Sequence, residues 1–156
     1  MAYIFFYSSI ALLLAIFFII SLIKRPKVPN ILIGLTTVGY SLISDILLGD
    51  QLKLFYYINP LASTFYMVIS AVMIYPILNI LYTMFLPCPG KKALTYTIAW
   101  IAALLLFEYG SVAAKTIVFT GWKPVPWSFV TYIVAYLWIY YFYRYLTKRV
   151  PEKNKL

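Results

Sequence analysis

The sequence predicts an all-α, polytopic integral membrane protein, a single membrane domain built as a bundle of five transmembrane helices. Three observations carry this. The 156 residues are 64% hydrophobic and 11% charged, against roughly 45–50% apolar and about 25% charged in soluble chains. The apolar residues fall into five long runs, each near the ~20 residues that cross ~30 Å of hydrocarbon. Between the runs, basic residues alternate from abundant to sparse.

The first span is expected at 2–23. Met1 to Phe5 holds no positive charge, and no small-residue cleavage pattern follows the run, so it reads as a retained helix rather than a signal peptide. Lys24-Arg25-Pro26-Lys27-Val28-Pro29-Asn30 ends it, since proline removes a backbone donor and blocks helical continuation. The second span is expected at 31–48, closed by Gly49-Asp50. The loop from Gln51 to Pro60 is expected to lay Leu52, Leu54, Phe55, Tyr56 and Tyr57 along the membrane interface. The third span, 61–86, carries Pro76 near its centre, tolerable in lipid where a kink or a neighbour satisfies the freed carbonyl. The turn at 87–92 leads to the fourth span, 93–119. Gly121 to Trp127 then turns into the fifth, 128–146, followed by a basic tail at 147–156.

Basic residues sort by side. Lys24, Arg25, Lys27, Lys91, Lys92, Arg144, Lys148, Arg149, Lys153 and Lys155 flank one set of helix ends, while Lys53 and Lys123 flank the other. Short loops rich in Lys and Arg stay cytoplasmic, so the N-terminus is expected outside and the C-terminus inside a cell membrane. Trp122, Trp127, Tyr56 and Tyr57 would form the outer aromatic belt. The basic tail is expected to lie against anionic lipid or to act as a plain topology anchor. The same distribution accounts for the net charge of +9 without a nucleic-acid partner. The single cysteine, Cys88, excludes an internal disulfide and falls on the reducing cytoplasmic side. No internal repeat is evident, and an odd number of spans argues against a simple inverted duplication.

Ionisable groups within the runs are Asp45, Glu108 and Lys115. A charge near the bilayer centre costs at least ~2.5–3.5 kcal/mol, so each needs a partner or a water path. Glu108, eleven residues before Phe119, is expected roughly 16 Å below the outer end at the α-helical rise, about mid-membrane. Asp45 and Lys115 sit near ~6 Å depth by the same rise. Two readings of them stay open: an Asp45–Lys115 pair stapling span two to span four, or Lys115 snorkelling to the headgroups while Asp45 meets water. Glu108 is too short to snorkel. Thr97, Trp100, Glu108, Ser111 and Lys115 share one helix face, which must point into the bundle or an aqueous cleft. For Glu108 a structural, hydrogen-bonded acid and a proton- or cation-binding carboxylate are both open.

Companion stripes exist. Gly34, Thr37, Ser41 and Asp45 form a small polar stripe on span two that permits close helix approach. Tyr132, Tyr136, Tyr140 and Tyr143 recur on span five, and buried phenols need partners. Asn79 is a further interhelical donor, and Ala99–Ala103 and Gly110–Ala114 are small-residue pairs. Histidine is absent, as are paired cysteines and a phosphate-binding glycine loop, which removes Ser–His and Cys–His nucleophiles and the usual metal patterns. Asp45 and Glu108 differ in expected depth by about 10 Å, too far for a two-carboxylate site. No enzyme activity, metal or cofactor is expected.

The run Glu108-Tyr109-Gly110, then Lys115, Gly121-Trp122, Trp127-Ser128 and Tyr132 resembles the C-terminal half of a family of small, uncharacterised multispanning membrane proteins of spore-forming bacteria. It covers about a third of the chain and implies a bacterial cytoplasmic or spore membrane. No activity comes with it. The functional expectation is therefore a protein handling a small solute, proton or cation through Glu108. Asp45 and Lys115 would form an outer gate, and Ser111, Tyr132 and Tyr136 would complete the candidate ligand set. The alternative is a non-catalytic membrane subunit or scaffold packed against partner proteins. Five helices make a narrow pore, so transport would imply a homo-oligomer.

Overall fold

In the computed structural model, which describes residues 1–150, five helical segments are long and apolar enough to cross a membrane: Ala2–Ile23, Val28–Gln51, Pro60–Met84, Lys91–Ala113 and Pro124–Arg149. The end of the expected tail, 151–156, lies outside the described residues.

Helix α1, Ala2–Ile23, is apolar on every face, and Phe6 is its buried residue. Ile10, Leu13, Phe17 and Ile20 are half-buried against neighbouring elements, and the opposite face is exposed, as suits a helix solvated by lipid. Helix α2, Val28–Asp45, begins earlier than the sequence predicts. Pro29 falls in its first turn, where a missing N–H costs nothing. The Lys27 amide donates to the Asn30 side chain at 2.8 Å, satisfying a donor at the helix start. The helix runs on through a widened π-type turn at Ile46–Gln51.

The third segment is composite. A short 3₁₀ turn, Pro60–Ala62, leads into α3, Ser63–Ile69, then a second wide turn, Ser70–Ile74, then α4, Tyr75–Met84. Pro76 explains the widening. Its ring would clash with the carbonyl four residues back in a regular helix, and the Tyr75 amide instead bonds the Ser70 carbonyl, five residues back.

Helix α5, Lys91–Ala113, stops six residues short of the expected Phe119. Lys115 adopts φ 59°, a left-handed conformation that turns the chain away from helix. Ile117–Phe119 then forms a strand, β2, antiparallel to β1 at Phe55–Tyr57, with Tyr56 opposite Val118. The fold is therefore helical with a two-stranded ribbon, not purely α. The interfacial loop expected at 51–60 is half of that ribbon, and Tyr57 is buried rather than part of an aromatic belt. An apolar run cannot distinguish helix from strand by hydropathy, but Thr116-Ile117-Val118 is β-branched and suits a pleated surface. After an irregular segment at Pro124–Ser128, in which Val125 is extended, the chain enters α6, Phe129–Arg149.

The most extensive helix contact is α2 against α4. Around it, Ile33, Tyr82, Ile101, Leu104, Tyr136 and Ile139 form a core shared by α2, α4, α5 and α6. A second cluster, Phe6, Tyr57, Tyr66, Met67 and Ile74, joins α1, the ribbon and α3. At the end opposite the ribbon, the Lys24 ammonium donates to the Met84 carbonyl, and Arg144 to that of Pro87. Cations there meet the unpaired carbonyls at the end of α4.

Candidate functional site

Beneath the ribbon lies a cavity of about 210 Å³. All the helical segments contribute to it: Phe5 and Phe6 from α1, Ser41 and Asp45 from α2, Ser70 and Tyr75 around the Pro76 turn, Phe107, Glu108 and Ser111 from α5, and Ser128, Tyr132 and Tyr136 from the last segment. The ribbon covers it with Phe55, Tyr57, Ile117 and Phe119.

The two acids meet here, contrary to the separation in depth that their sequence positions suggest. With α5 ending at Ala113, Glu108 is five residues from the helix end, about 7 Å along it rather than 16 Å. That brings it toward the level of Asp45, the last residue of α2. Their environments differ. Glu108 is half-buried and accepts a 2.6 Å hydrogen bond from the Ser128 hydroxyl, which itself accepts from the Trp122 indole at 2.9 Å. Asp45 is 8% exposed, and its Oδ2 is buried with no hydrogen-bond partner.

The Asp45–Lys115 staple is not formed. Lys115 is exposed, beyond the end of α5 and off its inward face, and among the described residues the ion pair is Lys53–Asp50, at 3.2 Å on the surface. Among the described residues no Lys or Arg lines the cavity.

Hydroxyls surround the acids. The Tyr57 and Tyr75 phenols share a 2.8 Å hydrogen bond. Burial, and secondarily the negative charge of Asp45, push the Tyr57 phenol well above its ordinary value, so it stays protonated. Ser111 lines the cavity but its hydroxyl donates to the Phe107 carbonyl at 2.9 Å, within its own helix. Tyr132 lies in the wall, whereas Tyr140 and Tyr143 do not line the cavity.

The floor is a closed polar network. Asn79 donates to Thr37 at 3.1 Å and Tyr40 at 3.0 Å, and accepts from Tyr136 at 2.7 Å. The Trp100 indole donates to the Tyr136 oxygen at 3.0 Å. The stripe Gly34, Thr37, Ser41 and Asp45 is buried throughout. Sequence reasoning did not single out Ser70, Tyr75 or Ser128, and gave Tyr57 and Trp122 to an outer belt. Ser128 carried a weak signal as the polar residue opening the last run. The others become visible only once the ribbon and the wide turns exist.

Among the described residues, no group of three or more His, Cys, Asp or Glu stands ready to hold a metal ion. No protein-family model, curated protein or solved structure matches this chain.

Proposed function

We propose that this is a multi-pass protein of the cell membrane, N-terminus outside and C-terminus inside, which takes up a small cation in exchange for a proton in the cavity lined by Asp45 and Glu108. One observation carries the reading: among the described residues, two carboxylates and no basic side chain line a single cavity. A carboxylate in a low-dielectric site is stable only when neutralised by a proton, a counter-ion or strong donors. Glu108 has Ser128 as donor, but among the described residues nothing donates to Asp45 Oδ2. The other titratable groups around the cavity are tyrosines: Tyr40, Tyr57, Tyr75, Tyr132 and Tyr136. A cation binding there takes the place of the proton that would otherwise neutralise a buried carboxyl.

The test uses purified full-length protein in weakly buffered, uncharged detergent, titrated with sodium, potassium and benzyltrimethylammonium chlorides while proton release is followed. At least one salt should give saturable release, and the Asp45→Asn, Glu108→Gln double variant should lose it. Absence of release from the wild-type protein with all three would overturn the reading.

A second reading, a non-catalytic membrane subunit, draws on one contact. The Glu108–Ser128 bond ties α5 to the start of α6, as a purely structural acid would. It requires Glu108→Gln to lower the melting temperature and Asp45→Asn to leave proton release unchanged.

A further inference from the structure

We infer that the cation is a compact organic ammonium with an apolar body, its charge held by Asp45 and its body among the aromatic rings of the same cavity. This rests on the cation reading above and narrows it to a class of ligand.

Size comes first. The cavity, about 210 Å³, exceeds the roughly 150 Å³ apolar cavity that holds one benzene. A dehydrated alkali ion would fill a small part of it and leave most of its own shell unsatisfied. Hard cations want six or more converging oxygens, and the wall here is mostly carbon, with Phe107, Tyr57, Tyr75, Tyr132 and Trp122 contributing rings. Ring faces attract cations, most strongly where water is excluded.

Charge comes second. With no Lys or Arg in the wall among the described residues, an anion finds no counter-charge. A neutral ligand would leave Asp45 Oδ2 uncompensated, since no group of the described residues hydrogen-bonds to it. Glu108 is already engaged by Ser128, and both amide hydrogens of Asn79 are taken by Thr37 and Tyr40. Asp45 is therefore the counter-ion, and Glu108 shapes the potential around it.

Calorimetry on the full-length protein in uncharged detergent tests this, with benzyltrimethylammonium as probe, benzyl alcohol as its neutral counterpart, and sodium and potassium as small cations. Benzyltrimethylammonium should bind saturably with proton release, and about tenfold or more tighter than each of the others. Asp45→Asn should weaken it about tenfold or more, and Glu108→Gln less. Ala135→Leu, which narrows the cavity without touching an acid, should also weaken it, and decides the matter if Asp45→Asn does not fold. Proton release by sodium or potassium with the organic cation silent would overturn the ligand class and leave the cation reading standing. Silence from every cation would fell both. Benzyl alcohol binding as tightly as the ammonium, or ammonium binding undiminished in both folded variants, would also overturn the inference.

Discussion

Asn79 engages three other residues through one side chain, and so fixes the rotation of several helices at once. Its two amide hydrogens reach Thr37 and Tyr40 on α2, and its carbonyl takes the Tyr136 hydroxyl from α6. Interhelical hydrogen bonds in membranes average ~0.6 kcal/mol and reach ~1.7. Asn79→Leu, similar in volume but without the three bonds, should therefore cost about 2 kcal/mol in a reversible unfolding titration in mixed micelles. Tyr136→Phe should cost about 1 kcal/mol. Because both changes delete the same contact, the double variant should lose clearly less than the sum; strict additivity would show that the network is not coupled. The residue types were legible in the sequence, where Asn79 and Tyr136 stand out as polar groups in apolar runs. Their partnership was not, because pairing depends on which helices become neighbours. Lys115 shows the opposite failure. Its alignment with Glu108 and Ser111 assumed a helix that ends before reaching it.

At the scale of elements, the wide turns do what regular helices cannot. Each of the two, Ile46–Gln51 and Ser70–Ile74, supplies a cavity-lining residue: Leu48 and Ser70. Such insertions often mark functional sites. Hydropathy located all five segments, four of them to within four residues at each end, because span length is set by bilayer thickness, and it overran the end of the fourth by six. It missed the turns and the ribbon, which depend on local backbone chemistry and on pairing across more than fifty residues. The close approach of α2 to α4 is an element-scale feature with its own test. A β-carbon on Gly34 would lie 2.6 Å from Ile80 Cδ1 and 2.9 Å from Cγ1, whereas one on Gly39 meets nothing within 4 Å. Gly34→Val should force the helices apart and cost about 1–3 kcal/mol, the usual penalty for overpacking. Gly39→Val, one helix turn and a little further on, serves as the control and should be far milder in the same titration. Equal losses at the two sites would mean that steric closeness at Gly34 does not limit the packing.

Across the whole molecule, charge is divided along the bundle axis. Lys24, Arg25, Lys27, Lys91, Lys92, Arg144, Lys148 and Arg149 flank the end remote from the ribbon, while the ribbon end has Lys53, Lys115 and Lys123. The ribbon end gains Lys115 because α5 stops early, yet the asymmetry persists. With the basic end inside, as proposed, the carboxylate cavity lies in the outer half, and a negative interior potential favours a cation moving toward it from outside. Cys88 tests that orientation directly. It is the single cysteine of the chain and is free and exposed, in the turn between α4 and α5 at the basic end. A membrane-impermeant maleimide should leave it unlabelled in intact cells and label it in inverted vesicles. In a Cys88→Ser background, a cysteine replacing Thr120, exposed at the ribbon end, should give the reverse pattern. Labelling of Cys88 from outside would invert the topology, and the potential would then oppose a cation's movement to the cavity from the ribbon side.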